Sequence, residues 1–499
     1  MAEETSSTTV PRRALLGAAV WRGLVVLHRY LGVAVGIVMT LWCLSGVVMI
    51  YSGYPRLAEA ERLRGLAPLQ FAACCADVSP ALARVDGVRR FSVEMLAGQP
   101  VLRLTDTAGR RQLIDLRTGA PTPGVDEAAA QTVASGFAAA RGVHAPIQAV
   151  RLIDKDQWTV QDAARRGPVW RIAFADPGGA QVYVARRSGE VVQVTTAKQR
   201  FWGWLGAVPH WLYPTVLRQN GELWSQVVIW TSTAGVFLTA IGLYIGVARL
   251  KRYASGRWSP YRGLFWWHHM TGLVFGVLTL AWVATGLMTM NPWGLLDSTA
   301  GIAQRQQLAG PIDKAQVARL VAALPGSAGQ GARSLRTAPL AGQLFLAAVD
   351  GDGEVTRLDA WGRAAPLDAA ALAALLPGRL GAPVGEMRLV TKPDAYNYAG
   401  YDRPADLPAY RVDVRDAGKT TLYLDPRTGE VMRAVDDTER LSRWTRTAFH
   451  DWDFAALRAR PWWDLLVLGM LAGAAATCGL GAWMGLRRAK ADLARARPR

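Results

Sequence analysis

Four stretches of the chain carry only uncharged, mostly apolar side chains over about 20 residues each, at 31–51, 226–248, 270–290 and 465–486. An α-helix of that length crosses the roughly 30 Å hydrocarbon core of a bilayer. The pattern therefore predicts an α-helical membrane protein with four transmembrane helices.

The two long connections between these stretches, about 52–223 and 291–462, contain shorter helix-like and strand-like patterns of apolar residues. Helical periodicity is found at 125–142 and 366–377, and strand-like alternation followed by a turn and a second strand at 168–176 and 409–416. Each connection is therefore expected to form a small α+β domain that contains antiparallel hairpins.

The distribution of charge predicts how the four spans are oriented in the membrane. The formal net charge is +18, and the segment 249–263 and the tail 487–499 hold five and six Lys or Arg residues, respectively, with Arg12, Arg13 and Arg22 at the other end. Cationic residues next to membrane spans remain on the cytoplasmic side. We expect both termini in the cytoplasm, large domains on the outer side, which is the periplasm if the host is Gram-negative, contact with membrane lipid, and no nucleic-acid binding.

These patterns divide the chain into nine segments. They are a cytoplasmic N-terminal arm (1–23), the first span (24–51), a first periplasmic domain (52–205), a segment leading into the membrane with the second span (206–248), a cytoplasmic loop (249–263), the third span (264–290), a second periplasmic domain (291–445), a second leading segment with the fourth span (446–486), and a cytoplasmic tail (487–499). The four cysteines suggest no disulfide framework, since Cys43 and Cys478 lie in spans and Cys74 and Cys75 are adjacent.

The first and third spans are variants of one sequence. "HRYLGVAVGIVMTLWCLSG" and "HHMTGLVFGVLTLAWVATG" share five identities at a constant offset of 240 residues, which are His28/His268, Gly32/Gly272, Gly36/Gly276, Trp42/Trp282 and Gly46/Gly286. Such a series in constant register predicts an internal repeat.

The same register continues outside the spans. "VYVARRSGEV" at 182–191 matches "LYLDPRTGEV" at 422–431, and His210 matches His450, again 240 residues apart. The repeated unit is a helix, an outer domain, a histidine before the membrane, and a second helix. Two parallel repeats predict a four-helix bundle with a pseudo-two-fold axis along the membrane normal.

Repeat symmetry places four histidines in two layers. His28 would face His268 at the cytoplasmic ends of their spans, and His210 would face His450 on the outer side. Two pairs at two depths suit two bis-histidine b-type haems, because each haem iron takes one imidazole on each axial face. The sequence therefore predicts two haem b groups with these four residues as iron ligands.

Glycines accompany the first of these layers. Gly32 and Gly36 follow His28 at steps of four, and Gly272 and Gly276 follow His268 in the same way, so each set lies on one helix face. A flat macrocycle needs such small residues beside it, although close helix packing alone produces the same spacing. His269 is an alternative ligand to His268.

Arginines near the histidines are candidates for binding the haem propionates. Arg218 and Arg458 match across the repeat, eight residues after the outer histidines, and Arg29 lies beside His28. Interfacial arginines that extend toward water explain these positions equally well.

"HRYLG" with "HHMTG", the "PHWLY" segment and the domain ending "LYLDPRTGEV" resemble the PepSY-associated transmembrane proteins of bacterial inner membranes. The resemblance covers about 21–488 and implies PepSY-like folds for the two outer domains. Relatives include siderophore-linked ferric reductases with two haems, which implies electron transfer to ferric-siderophore iron in the periplasm. The aromatic loop 392–404 is a candidate contact surface for the acceptor. Thirteen residues follow the last span, so we expect a separate cytoplasmic or quinol electron donor.

Two other functions are compatible with the pattern. A haem-free protein could use PepSY-like domains on a membrane anchor to capture a peptide or inhibit a protease, and its four histidines would then tolerate substitution. A transporter built from parallel repeats is a third hypothesis, but the spans contain neither an acidic residue nor a helix broken by proline. The leading hypothesis is a dihaem electron-transfer protein that acts as a ferric (siderophore) reductase.

Overall fold

The computed structural model describes residues 12–72, 74–399 and 404–496. The chain forms two compact units. The helical unit comprises residues up to 54 with 202–295 and 444–499, and the α+β unit comprises 55–201 with 296–443. Positions 400–403 of the aromatic loop predicted as a contact surface lie outside the described residues.

The α-helices follow one another along both units. They are α1 (Arg12–Met49), α2 (Glu59–Arg64), α3 (Ser79–Ala83), α4 (Glu127–Ala139), α5 (Ala163–Arg166), α6 (Ala197–Leu205), α7 (Ala207–His210), α8 (Thr215–Arg218), α9 (Gly221–Arg249), α10 (Leu264–Thr289), α11 (Ile302–Ala309), α12 (Lys314–Ala323), α13 (Ala369–Leu380), α14 (Asp437–Ser442), α15 (Phe449–Asp451) and α16 (Trp462–Ala496).

The strands all belong to the α+β unit. They are β1 (Val88–Leu96), β2 (Gln99–Asp106), β3 (Arg111–Asp115), β4 (Pro121–Thr122), β5 (Ile147–Ile153), β6 (Val169–Phe174), β7 (Gln181–Ala185), β8 (Val191–Thr195), β9 (Ser334–Thr337), β10 (Leu346–Val349), β11 (Val355–Leu358), β12 (Arg388–Val390), β13 (Ala409–Asp413), β14 (Thr421–Leu424) and β15 (Val431–Val435).

Four helices of the helical unit are long and apolar enough to cross a membrane, namely α1, α9, α10 and α16. This confirms the prediction of a four-span membrane protein. Both α9 and α16 pack against α1 and against α10. α1 and α10 are the first helices of the two predicted repeats. In the bundle they lie on opposite sides of the pair formed by α9 and α16.

The outer limits of the first and last helices differ from the predicted segments. α1 begins at Arg12, inside the predicted arm, and α16 continues to Ala496, inside the predicted tail. The helices continue because these stretches are rich in Ala, Leu and Arg, which favour helix, and contain no proline. Residues 1–11 and 497–499 of the predicted arm and tail lie outside the described residues.

The α+β unit contains two four-stranded antiparallel sheets, ordered β5-β6-β7-β8 and β12-β13-β14-β15. α4 packs on the first sheet through Ala130, Ala134 and Phe137, and α13 supplies its own apolar face to the core of the second. The predicted helices and hairpins in both connections are thereby confirmed.

A seven-stranded sheet, ordered β11-β10-β9-β1-β2-β3-β4, joins the two connections. β1 pairs with β9 in antiparallel orientation, with Ser92 opposite Arg336 and Val93 opposite Leu335. The sequence predicted one domain in 52–205 and another in 291–445, whereas the structure has one unit. Each half would otherwise leave an unpaired edge strand, and the pairing of β1 with β9 satisfies both edges.

The bonding of two cysteines also differs from what the sequence predicted. Cys74 and Cys75 are bonded to each other, although the sequence predicted no disulfide framework. Cys43 and Cys478 are free cysteines, on α1 and α16, as the sequence indicated.

One buried carboxylate connects the two halves of the large sheet. Glu94 on β1 is 1% exposed and accepts hydrogen bonds from Arg62 (2.8 and 3.0 Å), Arg103 (2.7 Å) and Ser334 Oγ on β9 (3.1 Å). Burial opposes the charged form, but the attraction of Arg103 and Arg62 and the Ser334 hydroxyl outweigh it and lower the pKa of Glu94 to about 2. The ionised carboxylate therefore stabilises the fold.

Glu94→Gln is expected to lower the free energy of unfolding by about 3 kcal/mol at pH 7, because two buried guanidiniums lose their counter-charge. The lowered pKa stabilises the native state above the unfolded pKa of about 4.3, and this contribution is lost as the pH falls toward 2. Urea titrations of wild type and variant should therefore converge in acid. Glu59→Gln removes a half-exposed partner of the same Arg62 and should cost less than about 1 kcal/mol. Equal losses would contradict a special role for Glu94.

Candidate functional site

Two histidines face each other in the bundle at the end where α1 and α10 carry the HRYLG and HHMTG sequences. The ring centroids of His28 on α1 and His268 on α10 are 6.2 Å apart, with the ring planes inclined by 35°. Both side chains are half-buried. We call this pair the first histidine layer.

A second pair lies on short helices that precede α9 and α16. His210 ends α7, His450 lies within α15, and their ring centroids are 6.3 Å apart, inclined by 55°. These rings approach Gly46 on α1 and Gly286 on α10. Each of those glycines lies 18 residues, or about 27 Å of helix, beyond the histidine of the first layer on the same helix. This second histidine layer is therefore at the opposite end of the bundle.

All four rings are held through Nδ1. The bonds join His28 Nδ1 to Leu238 O (3.2 Å), His268 Nδ1 to Thr477 O (3.0 Å), His210 Nδ1 to Trp42 O (3.1 Å) and Ser45 Oγ (3.2 Å), and His450 Nδ1 to Thr285 Oγ1 (3.4 Å). A carbonyl only accepts hydrogen bonds, so Nδ1 of His28, His268 and His210 carries the proton and Nε2 keeps its lone pair. The Thr285 hydroxyl donates to the Ala281 carbonyl and therefore accepts from Nδ1 of His450. Within the described residues, Nε2 of these rings has no hydrogen-bond partner, and it is the nitrogen available to a metal.

His269 has a different environment. It is buried, its Nδ1 lies 2.8 Å from Ser259 Oγ, and its Nε2 lies 2.8 Å from Gly246 O. Both ring nitrogens are therefore occupied by protein groups. The geometry favours His268 over His269 as the ligand.

His269→Ala is expected to leave the haem content of the purified protein unchanged, whereas His268→Ala should lower it. The reason is that both ring nitrogens of His269 have protein partners, whereas only Nδ1 of His268 has one and its ring faces that of His28. Haem-to-protein ratios of the two variants, each compared with wild type, test the assignment. A loss of haem in His269→Ala alone would reverse it.

Glycines that contact the histidines are not those singled out from the sequence. A Cβ on Gly242 of α9 would lie 2.6 Å from His28 Cε1, and a Cβ on Gly481 of α16 would lie 2.8 Å from His268 Cε1. No real side chain tolerates such an approach, so both positions need glycine if the rings keep their places.

The four glycines predicted beside the first layer differ in how closely neighbouring helices approach them. A Cβ on Gly36 would meet Ala482 at 3.5 Å, and one on Gly276 would meet Leu243 at 2.7 Å. Around Gly32 and Gly272 the nearest atoms stand at 3.7 and 3.8 Å, which is ordinary contact. Gly36 and Gly276 are thus close to neighbouring helices, while Gly32 and Gly272 leave room beside the first layer.

The spacing of both pairs fits a metal held between two imidazoles. With metal–nitrogen bonds of about 2.0–2.1 Å, two axial imidazoles have ring centroids about 6.4 Å apart, against 6.2 and 6.3 Å here. Among the described residues, no group of three or more His, Cys, Asp or Glu could hold a bare metal ion. Two histidines alone leave most coordination positions open, and a porphyrin supplies the other four nitrogens.

The second layer also has unpaired hydrogen-bond donors around it. Trp42 Nε1, Trp452 Nε1 and Arg218 Nε are buried without a hydrogen-bond partner. Trp42 also bonds His210 through its carbonyl, and Trp452 lies two residues after His450. An acceptor such as a propionate carboxylate would satisfy donors of this kind.

The predicted arginines have different partners. The Arg218 guanidinium stacks over Tyr213 and Trp224, 5.1 and 4.8 Å from the ring centroids, whereas Arg458 is paired with Asp453 at 2.5 Å. Arg29 lies 3.9 Å from Asp492. Of the three, Arg218 is the one with a buried, unsatisfied nitrogen.

A family model places the chain among known proteins. The model of the PepSY-associated transmembrane region matches residues 25–376. No curated protein matches the sequence significantly. The family match covers well over half of the chain, including three of the four spans and both residues of the first histidine layer. The chain therefore belongs to the PepSY-associated transmembrane family.

Proposed function

We propose that this chain is a dihaem b electron-transfer protein of the bacterial inner membrane. His28 and His268 would hold one haem and His210 and His450 the other. The observation that carries the proposal is the matched pair of layers, each with two imidazoles 6.2 or 6.3 Å apart and Nδ1 bonded to the protein. When bound, haem b supplies one-electron redox chemistry at its iron.

The chain's own residues orient the ligands. In the first layer, carbonyls of Leu238 and Thr477 fix the tautomer and the ring direction of the two histidines. Hydrogen bonds of this kind also raise the basicity of the ligating nitrogen.

We infer the direction of transfer from the charge distribution and from the resemblance to siderophore-linked ferric reductases. The cationic segments 249–263 and 487–499 support cytoplasmic termini, with the α+β unit in the periplasm. Electrons would come from a separate cytoplasmic or quinol donor and go to a periplasmic acceptor, which we propose to be a ferric-siderophore complex. The protein would then act as a ferric (siderophore) reductase.

The experiment uses proteoliposomes that contain the haem-loaded protein, a membrane-impermeant reductant inside, and a ferric hydroxamate chelate outside. External ferrous iron, trapped by a colorimetric chelator, should appear with wild-type protein. It should fall to the rate of empty liposomes in His28→Ala and in His210→Ala, because either change interrupts the two-layer path. Equal rates in wild-type and empty liposomes would contradict transmembrane electron transfer.

Arg218→Gln is expected to lower the reduction potential of the second-layer haem by tens of millivolts. A half-buried cation near the haem would favour the reduced state, which carries less positive charge. Arg458→Gln should have the smaller effect, because the Arg458 charge is already balanced by Asp453. Redox titration of the visible bands measures both, and a larger shift in Arg458→Gln would contradict the assignment.

A further inference from the structure

The α+β unit contains a cavity of about 510 Å³ that none of the preceding functions uses. It lies against β1, β2 and β9 and against two turns that match across the sequence, RSGE at 187–190 and RTGE at 427–430. Small-molecule sites typically have volumes of roughly 300–1,000 Å³. The cavity is therefore large enough for a ligand.

Arginines are concentrated on the sheet face that lines it. Arg90 is two residues before Ser92 on β1, so both side chains point to the same face. Ser92 pairs with Arg103 on β2 and with Arg336 on β9. Arg90 pairs with Thr105 on β2, and Thr105 pairs in turn with Arg111 on β3. These arginines share one face of the sheet, so a negative charge added there is attracted by more than one guanidinium.

The acidic residues of the cavity do not balance these arginines. Glu59 forms a salt bridge with Arg62, and Glu94 forms salt bridges with both Arg62 and Arg103, in the network described above. Six other lining arginines form no salt bridge within the described residues, and these are Arg89, Arg90, Arg111, Arg187, Arg305 and Arg336. The remaining lining acids are Glu190 and Glu430, and burial raises the pKa of Glu430, opposed by Arg336.

We propose that this cavity binds a small polyanion carrying two or more carboxylate or phosphate groups. Guanidinium forks bind both groups through paired hydrogen bonds. Because the arginines come from β1, β3, β9, the 187–190 turn and α11, a ligand with a single charge would meet only part of the set. This inference goes beyond electron transfer and does not depend on haem.

Calorimetric titration of the full chain in detergent at low ionic strength tests the proposal. Citrate and pyrophosphate are the probes, and acetate is the singly charged comparison. At least one probe should bind with one-to-one stoichiometry and at least about tenfold more tightly than acetate. Binding of citrate alone would identify a carboxylate ligand, and binding of pyrophosphate alone a phosphate ligand. No binding of either would overturn the proposal.

Variants distinguish binding in this cavity from nonspecific attraction to the positive charge of the protein. Arg90→Gln with Arg336→Gln should weaken probe binding by at least about tenfold, since each removes a charge-assisted contact. Arg84→Gln combined with Arg388→Gln removes two exposed positive charges outside the cavity and should leave binding unchanged. If the first pair disturbs folding, Arg187→Gln provides the same test from the turn. Equal weakening by the control pair would also overturn the proposal.

Discussion

Replacing His28 with alanine is expected to reduce the haem content from about two to about one per chain, and replacing His210 is expected to do the same. Each change leaves one layer intact, because the two layers share no ligand and lie at opposite ends of the bundle. The double variant should contain no haem. Pyridine haemochrome assays of the purified proteins measure these ratios.

His144→Ala is the matched control. His144 is an exposed residue of the α+β unit, remote in sequence from both layers, and its loss should leave two haems. If His28→Ala retained both haems, or if it removed both, the two-layer arrangement would be contradicted.

Gly242→Val is expected to remove the first-layer haem as completely as His28→Ala does. A Cβ at this position would lie 2.6 Å from His28 Cε1, and the adjacent ring atom Nδ1 is bonded to the Leu238 carbonyl of the same helix. The ring must rotate away and lose its alignment with His268. Gly481→Val should have the same effect through His268, and the haem ratio with the visible spectrum tests both.

Gly469→Val provides the control for valine in a membrane helix. A Cβ on Gly469 of α16 would have no atom within 4 Å, so this variant should keep both haems. Full haem content with an unchanged spectrum in Gly242→Val would show that the ring contact does not control binding.

Much of the fold could be predicted from local patterns. Uncharged stretches near 31–51 and 270–290 coincide with α1 and α10, and the periodicity near 125–142 coincides with α4. These elements depend on residues close together in the chain. The pairing of β1 with β9 was not predicted, because hydrogen bonds between strands about 240 residues apart leave no signal in local periodicity.

The candidate site was only partly accessible from the sequence. Spacing identified the histidines, but the contacts of Gly242 and Gly481 depend on how α9 and α16 rotate against their neighbours. The choice between His268 and His269 likewise depends on Ser259 and Gly246, which lie ten and 23 residues away from His269. A constant offset relates positions to one another, but it does not identify the side chains they contact.

The most direct measurement is a visible spectrum of the detergent-purified protein, oxidised and then reduced with dithionite, together with a haem-to-protein ratio. Our account predicts sharp low-spin b-type bands at about two haems per chain. A colourless protein, even after expression with ample haem, would contradict the account. The four histidines would then be interfacial residues, and a haem-free function of the PepSY-like domains would be favoured.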